Sequence, residues 1–152
     1  MAIERLCQLK KYGGGGGSYT ETTQWTNSDP TQSMSLQNVY FDKDISTIDF
    51  DYIRVYFKLA RNTTDIYSVD FSKEIILQSF QVTSSLTAKG SYVIANLRSQ
   101  SKSSSGTSGY IRPIVINNTK TTITFLQAAI DGQSSSYSSN VLIPTKLTLI
   151  KY

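Results

Sequence analysis

The run from Phe50 to Leu59 constrains this chain most. Ile53, Val55, Phe57 and Leu59 fall on one face and Tyr52, Arg54, Tyr56 and Lys58 on the other. That period of two is the signature of a half-buried β-strand, and a helix cannot use it. One face is expected in a core, while the tyrosine and basic face is wet or contacts something. Comparable strand signals recur at Thr22 to Thr26, Leu36 to Asp42, Ile66 to Phe71, Ile75 to Val82, Tyr92 to Leu97, Tyr110 to Ile116, Thr121 to Ile130 and Val141 to Tyr152. Short strands at such spacing predict an all-β fold: an antiparallel two-sheet β-sandwich, jelly-roll-like, with eight to nine strands over residues 19 to 152.

Between these segments lie turn formers. Asn27-Ser28-Asp29-Pro30, Arg61-Asn62-Thr63-Thr64-Asp65 and Asn117-Asn118-Thr119-Lys120 tolerate left-handed backbone or cap themselves, and the last reads as a hairpin. Pro113 and Pro144 sit inside strand signals, where a missing N–H restricts them to an edge, a strand start or a bulge. Phe125 to Ile130 contains helix formers, but Thr121 to Thr124 before it favour strand. Ser99 to Gly109 and Gln133 to Asn140 are serine-rich and read as exposed hairpin tips. Such a composition serves either as neutral solvated loop or as adaptable contact around an anchor such as Tyr137.

A chain of 152 residues suits one core. Only 17% of it is charged, so the polar remainder is mostly Ser, Thr, Asn and Gln, residues that suit pleated strands and their turns. The net charge of +4 is spread over scattered basic residues with no run longer than Lys10-Lys11, which gives no nucleic-acid footprint. No segment reaches the ~18 consecutive apolar residues of a membrane span. The first eleven residues lack the apolar centre of a secretory signal, so synthesis in a cytoplasm without export by that route is expected.

The front of the chain differs from the rest. Gly13, Gly14, Gly15, Gly16 and Gly17 followed by Ser18 form a flexible run that holds neither strand nor helix by itself. Ahead of it Ile3, Leu6 and Leu9 repeat at spacing three, one weak apolar stripe on a segment too short to be a stable isolated helix. Residues 1–18 are thus either a frayed terminus or a non-globular docking peptide, with Ile3, Arg5, Leu6, Leu9, Lys10, Lys11 and Tyr12 as anchoring residues and the glycines as hinge or as close-packed backbone.

Candidate chemistry is sparse. With no His and one Cys, Cys7, in the front peptide, triads built on a His base, Cys–His mechanisms and an intrachain disulfide are excluded. A carboxylate pair for glycoside hydrolysis could be drawn from Asp42, Asp44, Asp49, Asp51, Asp65, Asp70, Glu74 and Asp131, several of which lie in turns. Asp42 with Asp44 and Asp49 with Asp51 share a strand face and suit a hard cation, yet their spacing matches no helix–loop–helix calcium loop, and solvation of strand ends accounts for them. No nucleotide-binding glycine pattern occurs, and Asn62-Thr63-Thr64 and Asn117-Asn118-Thr119 serve as turns rather than glycosylation sites. Trp25 reads as a core plug before a sugar platform. The chain is therefore expected to be no enzyme, with no cofactor and no metal.

The stretch Glu21-Thr22-Thr23-Gln24-Trp25-Thr26-Asn27-Ser28-Asp29-Pro30-Thr31, the strand near Leu36 to Phe41, and Phe50-Asp51-Tyr52-Ile53-Arg54-Val55-Tyr56-Phe57 resemble the opening of small β-sandwich proteins encoded among the virion genes of tailed bacteriophages. The resemblance covers about forty residues and implies an accessory structural protein, a fibre, spike or decoration domain in the virion, assembled as a homotrimer with other capsid or tail proteins and made in the host bacterial cytoplasm. It carries no catalytic residues. A host-surface glycan is a further partner, and nucleic acid and membrane are not. The alternative is a soluble carbohydrate-binding, lectin-like module that uses Tyr137, Trp25 or the face of Tyr52 and Tyr56; the same Tyr52, Tyr56 and Tyr137 are the candidate ligand or interface contacts. A small glycosidase is the third reading.

Overall fold

A computed structural model describes residues 17–77, 80–81, 91–103, 106–130 and 137–152 of the chain. The front peptide with Ile3, Arg5, Leu6, Leu9, Lys10, Lys11 and Tyr12, and the glycines 13 to 16, lie outside the described residues. Asp131 and residues 133 to 136 of the second serine-rich stretch do so too.

The described residues form two antiparallel sheets. The four-stranded sheet runs in the order β1 (Thr20–Thr26), β11 (Val141–Lys151), β3 (Tyr52–Ala60), β4 (Tyr67–Ser72). The seven-stranded sheet contains β10 (Tyr137–Ser138), β9 (Ala128–Ile130), β7 (Gly106–Asn117), β6 (Ser91–Ser103) and β5 (Phe80–Gln81), with β8 (Thr122–Phe125) joined to β7 and β2 (Gln37–Tyr40) joined to β8. Nine strands of three or more residues agree with the expected eight to nine; β5 and β10 are two-residue additions. The chain ends nest, since β11 returns between β1 and β3 while β8 returns beside β2. That nesting is the jelly-roll-like part of the fold, and β3–β4 and β6–β7–β8 are plain hairpin neighbours.

The alternation read in Phe50 to Leu59 is realised in β3. Ile53, Val55 and Phe57 enter the core against Leu147 and Leu149 of β11 and Phe71 of β4. The opposite sheet supplies Val39, Ile94, Leu97, Ile114, Ile116, Ile123 and Phe125. Trp25 stacks on Phe125 at 5.5 Å between centroids and packs against the core, the plug the sequence suggests.

Three local expectations change. The segment Ile75 to Val82 was predicted as one strand, but Glu74–Leu77 form a single helical turn, α1, and only Phe80–Gln81 join a sheet. The adjacent Ile75-Ile76-Leu77 satisfy either period, and the turn is taken because Ile76 then drops into the core with 1% exposure. Thr121 to Ile130 is strand as expected, yet broken in two at Leu126 and Gln127. In the stretch Ser99 to Gly109, read as a loop, β6 and β7 continue pairing out to Ser103 opposite Gly106, so the tip is much shorter.

Both prolines occupy places the missing N–H allows. Pro144 lies at the register shift between Pro144 and Lys146 on β11, where Asn27 takes over the edge: its Nδ2 donates to the Pro144 carbonyl (2.9 Å) and its backbone N–H to Thr145 O (2.8 Å). Pro113 lies where β7 changes partner from β8 to β9; its carbonyl accepts from Leu126 N (2.9 Å), in the gap between those two strands.

The same alternation that sends Ile114 and Ile116 inward also sends Arg112 inward, and its side chain is fully buried. Among the described residues no carboxylate answers it. Nε donates to Leu142 O (2.8 Å), Nη1 to Leu126 O (2.7 Å) and Nη2 to Val141 O (2.9 Å). In a regular strand the carbonyls of Val141 and Leu142 would point to opposite sides. Leu142 instead adopts left-handed backbone (φ 50), which brings both to one guanidinium. Burial pushes the Arg112 pKa down to about 10, still far above neutrality, so the group is charged. Arg112→Met removes three donors and leaves three inward carbonyls unpaired, so a loss of about 3–5 kcal/mol is expected, measured by urea unfolding. Arg112→Lys, with one point of donation, is expected to recover only part of it.

Candidate functional site

The outer face of the four-stranded sheet gathers the polar halves of β1, β3, β4 and β11. Arg54 faces Asp70 across β3 and β4 and binds it bidentately, Nε to Oδ1 at 2.7 Å and Nη2 to Oδ2 at 2.9 Å. Glu21 of β1 accepts from Tyr56 Oη (2.7 Å) and Thr148 Oγ1 (2.9 Å), and its other oxygen lies 3.6 Å from Arg54 Nη1. Tyr19 covers the Arg54 guanidinium, 5.4 Å from ring centroid to Cζ, and Lys146 Nζ stands 4.2 Å over the Tyr56 ring. The result is a layer that closes over one guanidinium: Arg54 is 3% exposed although it points away from the core.

The charges tune one another. Burial opposes ionisation of Glu21, but the hydrogen bonds from Tyr56 and Thr148 with Arg54 and Lys146 nearby outweigh it and hold its pKa below 4.5. Burial raises the Tyr56 phenol, and Glu21 adds to that. Arg54 is raised, chiefly by its bond to Asp70.

At one end of this face an open cleft of about 580 Å³ is lined by Phe50, Asp51, Tyr52, Ser72, Lys73, Glu74 and Tyr152. Asp51 is its joint. Its N–H donates to Ile150 O (2.7 Å), its carbonyl accepts from Lys73 N (2.8 Å), and its carboxylate accepts from Tyr152 N (2.8 Å), which holds its pKa low. Lys151 Nζ bridges Asp49 (3.0 Å) and Asp51 (3.3 Å), so this acidic pair is answered by an ammonium. Asp44 of the other pair caps the 3₁₀ turn Ile45–Thr47, accepting from Ser46 N (2.8 Å) and Ser46 Oγ (2.6 Å). Among the described residues no three His, Cys, Asp or Glu converge as a metal cluster would require, and no helix is long and apolar enough to cross a membrane.

Of the three contact residues expected from sequence, Tyr52 lines the cleft, whereas Tyr56 is engaged by Glu21 and Lys146 within that outer-face layer. Tyr137 opens β10, pairing with Ala129, and its side chain lies outside the described ones. Sequence reasoning missed Tyr152, Lys73 and Arg112. Tyr152 reaches Tyr52 edge-on at 5.8 Å only because β11 returns beside β3, a pairing no local pattern announces. Arg112 carried a signal in its odd polarity among Ile111, Ile114 and Ile116, but both faces of that strand are apolar.

Comparison with known protein families, curated proteins and solved structures returned no match.

The lowered pKa of Glu21 gives a pH dependence. Its contribution is fully present above pH 4.5 and is lost as the pH falls below that value through the folded-state pKa. Glu21→Gln is expected to lower stability by about 1 kcal/mol at pH 7 and to flatten the loss on acidification, read from thermal unfolding between pH 7 and pH 2.

Proposed function

We propose that this chain is a non-enzymatic structural protein of a tailed-bacteriophage virion, attached to the capsid or tail through residues 1–12 and projecting its β-sandwich for decoration or host-surface attachment. The observation that carries this reading is at Gly17. A Cβ built there meets nothing within 4 Å, and residues 17 to 19 are exposed as they lead into β1 at the sheet edge. The open surround of the last glycine supports the hinge over the close-packed alternative. A peptide released from the sandwich edge by such a hinge can engage a larger particle while the domain stays intact.

Two further features support the reading. The carboxylates on the outer face are spent on structure: Glu21, Asp51 and Asp70 each accept hydrogen bonds that tie strands together, an arrangement suited to rigidity rather than proton transfer. The resemblance in residues 21 to 57 points the same way. Exposed tyrosines outside the cleft, Tyr40 and Tyr67, suit a homotrimer contact. Copies repeated on a symmetric particle multiply weak contacts through avidity.

Deletion of residues 1 to 12 is expected to leave the melting temperature of the domain unchanged and to abolish incorporation into particles assembled in a host; normal incorporation overturns the anchor. Gly17→Ala is expected to change stability by less than about 0.5 kcal/mol. Sedimentation at micromolar concentration reads the oligomer, with a monomer counting against the trimer.

A further inference from the structure

We propose that the cleft between Tyr52, Tyr152 and Lys73 binds a short neutral saccharide. The inference deepens the attachment half of the reading above and rests on it for the biological source of the sugar, while the binding chemistry stands on the cleft alone.

The shape is suitable. A cleft of about 580 Å³ lies within the roughly 300–1,000 Å³ range of small-ligand sites, and its open side suits one end of a longer glycan. Phe50 at 2% exposure closes the floor, and Tyr152, an exposed residue, forms a wall. An exposed ring braced in place can take the apolar face of a sugar at little cost in its own freedom. Tyr152 is braced on two sides, by Tyr19 at 5.6 Å and by Tyr52 at 5.8 Å, and its backbone is pinned to Asp51.

The polar groups fit hydroxyls. Lys73 Nζ donates to Ile48 O (2.6 Å) and sits 4.9 Å over the Phe50 ring, so the ammonium is positioned with two further N–H donors in hand. Glu74 offers a carboxylate acceptor, and Ser72 both donates and accepts. With Asp51 answered by Lys151, Glu74 and Lys73 leave the lining balanced, which gives neither a polyanion nor a strong cation a decisive pull. A neutral ligand bearing several hydroxyls, each able to donate and accept, matches this set. A purely apolar ligand would strand the polar groups.

The test is a titration of the full chain with glucose, galactose, N-acetylglucosamine and their β-linked disaccharides, followed by NMR of the tyrosine rings. Binding of at least one sugar with shifts at Tyr52 and Tyr152 is expected. Tyr152→Ala is expected to weaken that sugar about tenfold at an unchanged melting temperature, Tyr152→Phe to retain it, and Glu74→Gln to weaken it severalfold. No shift with any of these sugars overturns the proposal, as does equal affinity in Tyr152→Ala, or preference for a sulfated oligosaccharide or a basic peptide over every neutral sugar. Deletion of residues 1 to 12 is expected to leave sugar binding intact, so failure of the anchor and failure of the cleft give separate results.

Discussion

A charged guanidinium sealed in the sandwich, bonded to three carbonyls and, among the described residues, to no acid, is the constraint around which the fold is arranged. Arg112 leaves the centre of the seven-stranded sheet and ends on Val141 and Leu142, where β11 begins the return that builds the other sheet. Its third bond goes to Leu126, at the break between β8 and β9. Several irregularities thereby meet at one side chain. The left-handed Leu142, the split strand and the proline at position 113 beside that split all surround the same side chain. Carbonyls that a regular ladder would have used are turned inward, and burial makes each of them costly without its donor.

From that clasp β11 runs as one of the two interior strands of the four-stranded sheet, with β1 on one side and β3 on the other. Its inward residues Leu147 and Leu149 fill the core, and its outward Thr148 and Lys146 help hold Glu21. Its far end delivers Tyr152 to Asp51 and to the cleft. One strand thus connects a buried lock to an exposed surface. The rigidity of the outer face, where Arg54, Asp70, Glu21 and Tyr56 satisfy one another, suits a domain that presents contacts without rearranging.

Elements whose pattern is local were legible in the sequence. Ile53, Val55 and Phe57 announce β3, and the asparagine-rich turn at residues 117 to 120 announces the β7–β8 hairpin, where Asn117 Oδ1 accepts from Thr121 N (2.8 Å) and Thr122 N (3.0 Å). The register shift at Pro144 is one of the places, an edge, a strand start or a bulge, that the missing N–H leaves open. What depended on distant partners was not legible. Ile75-Ile76-Leu77 fit either period until the core position of Ile76 decided between them, and the paired serines of β6 and β7 carry no apolar alternation to mark them as strand. The cleft joins residues 50 to 52, 72 to 74 and 152, which meet only through strand order, and the odd polarity of Arg112 does not tell which face of β7 is the buried one.

The most direct measurement is the side-chain Nε–H signal of Arg112 in ¹⁵N-resolved NMR of the intact chain. A guanidinium fixed between Leu142, Val141 and Leu126 and closed off from water should give a dispersed Nε–H resonance that exchanges with solvent far more slowly than those of exposed arginines such as Arg61. An Arg112 signal that exchanges as fast as Arg61 would contradict the clasp and, with it, the account of how the two sheets are joined.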